Sequence, residues 1–320
     1  MSTLEHAEQR MKSDPTPPTG APGDFVARLD HLGVLHFSGE DAQTFLQGQL
    51  SCDVAGVSLR TSSYGAYCNP NGRMLANFLL WQDESGFFVA VSRDVASTVQ
   101  QRISKFVLRS RVKVSDASES IVLAGAAGAQ AERALAGMFP DFPEKSHEVH
   151  PRPGTGTAIR LNDGRLFLAL KTPIDRRVAL ADASAWRWLD IRSGLPLVTA
   201  ATQDQFIPQM TNLELLGGVS FEKGCYTGQE VVARVQHLGK VKRRMFLANV
   251  AAPALAGDAL YSDDLGGQAS GAVLNAEAAP DGGYDLLAVI PAASRERSTV
   301  HLKTPQGPVL RFLPLPYSVA

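Results

Sequence analysis

The residues best placed to do chemistry lie in one stretch, Phe221-Glu222-Lys223-Gly224-Cys225-Tyr226-Thr227-Gly228-Gln229-Glu230-Val231-Val232-Ala233-Arg234. Thr227 and Glu230 have capping-box spacing ahead of an apolar helical run, and Gly239 stands where a C-cap is expected. The spacing therefore predicts a helix from about Gly228 to Leu238, with Cys225 just outside its N-terminus. Unpaired N–H groups and the positive end of the helix dipole favour a thiolate there, and Lys223 adds a cation two residues away. Gly224 and Gly228 let the backbone turn tightly and approach a ligand. A second reading stays open on these residues alone: Cys225 as a small apolar side chain in a capped loop.

The elements that must position this stretch follow from the apolar patterning. Ser38 and Asp41 have capping-box-like spacing before Ala42, Phe45, Leu46 and Leu50, which share a helical face. A hairpin is predicted from Tyr64–Cys68 and Met74–Trp81 around Asn69-Pro70-Asn71-Gly72, followed by a strand Phe87–Val91. Val95, Val99, Ile103 and Phe106 form the stripe of a further helix, and a strand Leu108–Val114 is expected to close the unit. A looser second round follows, with a strand at Ile121–Leu123, a helix at Gln130–Met138, a hairpin Ala158–Leu161/Leu166–Leu170 and a helix Ala183–Ile191. Beyond Lys240 short apolar runs alternate with Gly, Pro and Asp turns, as in a small all-β barrel or sandwich. The expected fold class is α+β. Its organisation is a disordered tail over 1–23, two related α+β subdomains over 24–240, and a β-barrel domain over 241–320.

Composition narrows the function. The net charge of −1 over 320 residues lacks the basic excess of a nucleic-acid or anionic-lipid binder, so direct nucleic-acid binding is not expected. No apolar run is long enough to span a bilayer, so no membrane association is expected either. The three cysteines, Cys52, Cys68 and Cys225, form neither a disulfide framework nor a metal quartet, and point to a reducing cytoplasm. Histidines lack metal-ligand spacing, and no permanent metal is expected. Two basic clusters, Arg102–Lys113 and Lys240–Arg244, read as solvated faces or as a positive rim for an acidic tail or partner. Arg109, Arg111 and Lys113 would share one strand face.

Lys223-Gly224-Cys225-Tyr226-Thr227-Gly228-Gln229-Glu230 resembles, at all eight positions, the K-G-C-Y-x-G-Q-E signature of YgfZ-type folate-binding proteins, relatives of the glycine-cleavage T-protein. Phe206-Ile207-Pro208-Gln209, Asn212-Leu213, Phe45-Leu46-Gln47-Gly48-Gln49-Leu50 and Asn69-Pro70-Asn71-Gly72-Arg73 agree with it, from Phe25 onward. The resemblance implies an aminomethyltransferase-like folate-binding fold and non-covalent tetrahydrofolate. It also implies a role in assembly or repair of iron–sulfur proteins, including enzymes that modify tRNA, with iron–sulfur proteins or assembly factors as partners. Cys225 would be the functional thiol and Lys223 would tune it, while Gln229, Glu230 and Arg234 would fix the loop and helix. Aminomethyltransferases place a carboxylate where this chain has Ala76 and Asn77, so folate-dependent aminomethyl transfer is the alternative, and a ligand-free scaffold a third. Tyr64 and Asn77 are candidate folate contacts. Arg192 occupies the position where relatives often carry an acidic pterin ligand.

Overall fold

A computed structural model describes residues 23–238 and 241–319. The proposed tail before Gly23, the Gly239 cap and Lys240 lie outside the described residues. Strands β1 (Phe25–Arg28) and β2 (Leu32–Ser38) are consecutive but enter different sheets. The first sheet is antiparallel. After helix α1 (Ala42–Gln47), it adds β3 (Ser63–Cys68), β4 (Met74–Asp83) and β5 (Gly86–Ser92), then helix α2 (Arg93–Ser104) and β6 (Lys113–Asp116). Its spatial order is β3-β4-β5-β2-β6. Strand β4 is buried along almost its whole length, which explains its near-continuous apolar sequence. Leu79 and Trp81 enter the core shared with the other sheets, whereas Phe78 and Leu80 pack with Phe45, Leu46, Val99 and Ile103 from α1 and α2.

The second sheet uses β7 (Val122–Ala127), then, after α3 (Ala129–Leu135), β8 (Val149–Arg152), β9 (Gly156–Arg160), β10 (Leu166–Leu170) and β11 (Leu180–Ala181). The order β11-β1-β7-β10-β9-β8 inserts the N-terminal strand between partners from much later in the chain. Helix α4 (Ala183–Arg192) follows, and its buried Trp186 lies against Gly125 of β7, where a Cβ would come within 2.2 Å of the indole. A long irregular segment then leads to α5 (Gln229–Leu238).

The third sheet comprises β12 (Arg243–Val250), β13 (Ala259–Ser262), β14 (Ala269–Ala278) and β15 (Tyr284–Pro291), then α6 (Ala292–Arg297), β16 (Val300–Leu302) and β17 (Arg311–Leu313). Its order is β16-β13-β14-β15-β12-β17, a curled half-barrel rather than the expected closed barrel. The edge strands β16 and β17 are three residues each and do not pair with one another. The turn between them carries Pro305 and Pro308, which have no N–H to donate to a ladder. One apolar cluster still joins all three sheets, from Tyr64 through Phe167 to Leu287.

Three local expectations are corrected. Helix α2 ends at Ser104, so Phe106 leaves the buried stripe and is 46% exposed. Arg109 and Arg111 precede β6, so they do not share a strand face with Lys113; Arg111 instead meets Glu40 at 2.7 Å. The Ser38–Asp41 capping box does not form. Asp41 is the N-cap of α1, and its Oδ2 accepts the Arg111 backbone N–H at 2.7 Å.

Candidate functional site

The motif loop is held by contacts far apart in sequence. Gly72 (φ +73°) ends the β3–β4 turn, and Gly228 (φ +85°) precedes α5. A Cβ on Gly228 would lie 2.4 Å from Asn69 O, so only glycine fits this approach as well as this backbone region. The turn is itself braced. Asn69 Oδ1 accepts from Asn71 N and Arg73 N, and its Nδ2 donates to Asp204 at 2.5 Å. Gln209 Nε2 donates to Val232 O at 2.7 Å, fixing α5 from the opposite side. Gly224 has open space around it, so nothing steric demands glycine there.

Lys223 is engaged by the backbone of another segment. Its Nζ donates to Leu50 O at 2.8 Å and to Cys52 O at 2.7 Å, and lies 5.3 Å from the centre of the Tyr226 ring. The ammonium thus pins the loop to the segment after α1. Burial lowers its pKa to about 8, against the opposing pull of Cys52 and Asp53. Tyr226 is buried, and its hydroxyl has no hydrogen-bond partner among the described residues. Burial pushes the Cys52 and Cys68 thiols up to about 12, so both stay protonated. Cys225 is exposed, four positions before Gln229, the first residue of α5. The half-buried Gln229 closes the turn through its N–H to Tyr226 O at 3.1 Å, and Thr227 is half-buried beside it. Glu230 and Arg234 are exposed on α5, and the loop is held by Lys223, Gly228 and Gln209.

The folate candidates fall in a separate place, where the three sheets converge. A cleft of about 470 Å³ is lined by His31, Arg93, Arg187, Asp190, Leu197 and Asn275, among others. An inner recess of about 60 Å³ shares Asp190 and Leu197 with it and adds Tyr64, Asn77, Phe78 and Trp186. Burial raises the Tyr64 hydroxyl pKa well above its ordinary value. Asn77 is engaged structurally: its Nδ2 donates to Pro196 O at 2.7 Å and its Oδ1 accepts from Val198 N at 2.6 Å. Arg192 does not line either space. Its Nη1 lies 3.5 Å from Asp285, on the side of α4 that meets the third sheet.

The residue two places earlier is the one that faces both spaces. Asp190 accepts from Arg165 at 2.6 Å, and burial, outweighing that cation, raises its pKa to about 6. Arg165 also reaches Asp163 at 2.6 Å and lies over the Trp186 ring. No periodicity or spacing in the chain singles out Asp190. The same holds for His31, both of whose ring nitrogens are buried without a partner. Burial and the charge of Arg187 lower its pKa to about 4, Asp30 opposing.

Among the described residues no group of His, Cys, Asp and Glu is arranged to hold a metal ion, and no helix is long and apolar enough to cross a membrane.

Residues 26–150 match the GCVT N-terminal domain family. Among solved structures, glycine cleavage system aminomethyltransferase T from Bartonella henselae superposes with a TM-score of 0.74, over 99% of this chain and 89% of that one. At 17% identity that likeness establishes the fold alone: the molecule is built as an aminomethyltransferase-like protein. Curated relatives are closer in sequence. The tRNA-modifying protein YgfZ of Edwardsiella ictaluri is 34% identical over 310 residues, 92% of either chain. Those of Sodalis glossinidius and Escherichia coli are each 32% identical, covering 95% and 91% of this chain and 96% and 92% of theirs. The chain belongs to the YgfZ family.

Proposed function

We propose that the protein binds a reduced folate non-covalently in the cleft and presents Cys225 to an iron–sulfur protein or assembly factor, supporting enzymes that modify tRNA. The observation that carries this reading is the exposed thiol on a loop held from three sides, by Lys223, Gly228 and Gln209. A reactive group that must meet a partner needs exposure and a fixed position, and loops on rigid scaffolds provide both. The cleft supports the ligand assignment: its volume suits a small-molecule site, and apolar side chains such as Leu195, Leu197 and Ala276 share its wall with polar and charged ones.

Aminomethyl transfer is the weaker reading. A carboxylate at the reacting nitrogen steers a proton and stabilises developing positive charge. Ala76 has no polar atom, and both amide atoms of Asn77 are engaged with backbone.

Anaerobic calorimetric titration with tetrahydrofolate, on the wild type and Cys225→Ser, tests both halves when paired with complementation of a strain lacking the native copy. The expected result is saturable binding by both proteins, with rescue by the wild type alone. Rescue by Cys225→Ser would remove the thiol from the function. Absence of binding would remove the folate.

A further inference from the structure

The cleft has an unusual polar inventory. Most of its hydrogen-bonding groups already have protein partners. Asn275 exchanges two bonds with Leu197, its Oδ1 taking the N–H at 2.9 Å and its Nδ2 reaching the carbonyl at 2.8 Å. Asp94 accepts from Ser92 Oγ at 2.7 Å and from Ala200 N at 3.0 Å. Asp30 pairs with Arg28 at 2.9 Å, and Asp190 with Arg165 at 2.6 Å. Each of these acids therefore already accepts from a protein donor.

His31 and two arginines differ. Arg93 is held through Nε on Asp30 O at 2.7 Å, and Arg187 through Nε on Glu277 at 2.6 Å. Their terminal guanidinium nitrogens have no protein partner among the described bonds. Both His31 nitrogens are buried and unpartnered. The backbone that carries this ring is held in the turn between β1 and β2: Leu32 N–H donates to Leu29 O at 3.0 Å and Arg93 N–H to His31 O at 2.9 Å. A buried polar atom without a partner is costly and calls for a ligand or water.

We propose that His31, with the terminal nitrogens of Arg93 and Arg187, forms a subsite for a carboxylate of the ligand that fills the cleft. Donors dominate the unmatched groups, and a carboxylate is acceptor-only, so it can take an imidazole N–H and guanidinium N–H groups together. The apolar remainder of the ligand then lies against Leu195, Leu197 and Ala276 and points toward the recess at Tyr64. A cation has no lone pair to offer and would leave these donors unmatched, and a neutral hydroxyl would accept from them without balancing the two guanidinium charges. The subsite rests on the folate reading only for the identity of the complete ligand, not for the carboxylate.

The test uses the full chain with histidine labelled at the ring carbons, the His31 resonance being assigned by its loss in His31→Gln. p-Aminobenzoyl-glutamate, a carboxylate-bearing probe with no pterin, is titrated first, and p-aminobenzamide, its counterpart without carboxylates, second. The His31 ring signal should shift saturably with the first and stay unmoved with the second, and Arg93→Gln should weaken the response at least tenfold. Equal shifts with both probes, or none with p-aminobenzoyl-glutamate, would overturn the subsite. Tetrahydrofolate is titrated in parallel. If it fails to bind while p-aminobenzoyl-glutamate shifts His31, the folate reading falls and the carboxylate subsite stands.

Discussion

Gly228 and Gly72 meet backbone to backbone: a Cβ on Gly228 would sit 2.9 Å from the Gly72 Cα and closer still to Asn69 O. Two turns from distant parts of the chain are thereby folded as one unit, with Cys225 on its rim. Gly228→Ala adds a clash and a methyl in a left-handed backbone region, so it should cost about 1–3 kcal/mol. The expected outcome is a lower urea midpoint, with alkylation of Cys225 by iodoacetamide that no longer follows wild-type kinetics. An unchanged midpoint would mean that the two turns separate easily.

Lys223→Met tests the anchoring role. The substitution keeps the stem and removes the donors to Leu50 O and Cys52 O. Two carbonyls losing a charged donor should cost roughly 2–3 kcal/mol. Because the ammonium is engaged with those carbonyls, the pH dependence of Cys225 alkylation should move little. A large shift in that profile, with stability unchanged, would restore Lys223 as the tuner of the thiol.

Restoring an acid at position 77 should not restore chemistry. In Asn77→Asp the Nδ2 donor becomes an oxygen facing the Pro196 carbonyl, while the bond from Val198 N–H survives. Two acceptors in a buried contact repel, and the variant should lose about 2–4 kcal/mol. Thermal unfolding should show the loss, and incubation with tetrahydrofolate and a one-carbon donor should give no product. Product formation by this variant would revive the transferase reading.

Stability should fall on mild acidification. His147 is buried, its Nδ1 paired with Ser62 Oγ at 3.0 Å and its Nε2 unpartnered, and burial lowers its pKa from 6.5 to about 4. Between those values the unfolded chain binds the proton and the folded one does not. The contribution is therefore complete above pH 6.5 and is lost progressively as the pH falls toward 4, by up to ~3 kcal/mol. His31, with the same direction of shift, adds to the loss over the same window, while Asp190, raised by burial to about 6, works against it. Glu148, held at about 2 by the N–H groups of Lys145 and Glu144, begins to contribute only below its ordinary 4.5. Urea midpoints measured from pH 7.5 to 4.5 should fall more steeply in the wild type than in His147→Gln.

Local signals in the sequence read well where chemistry and conformation coincide. The Asn69–Arg73 turn, the strands beside it and the helix behind Cys225 all follow from residue type and spacing. What spacing could not give is partnership across the chain. Lys223 stands two residues from Cys225 in sequence, yet its ammonium points to carbonyls after α1. Arg192 drew attention because it departs from a family pattern, while Asp190, one helical half-turn earlier, faces the cleft. Phe106 continues an apolar period, but the helix stops at Ser104 and leaves it outside. A closed barrel was expected from turn-rich apolar runs, whereas closure depends on how edge strands meet, which no single strand encodes.

The place of β1 has a consequence for how the chain is made. Val26 pairs with Ala126 on one side and with Leu180 on the other. Strand β1 leaves the ribosome before either partner: β7 follows directly after the first sheet, and β11 comes well after that. No single cut separates the first two sheets into independent fragments, since any break between β1 and β7 leaves a sheet missing its inner strand. Vectorial synthesis therefore finishes the first sheet before the second is sealed by β11, with the turn that carries His31 spanning the seam.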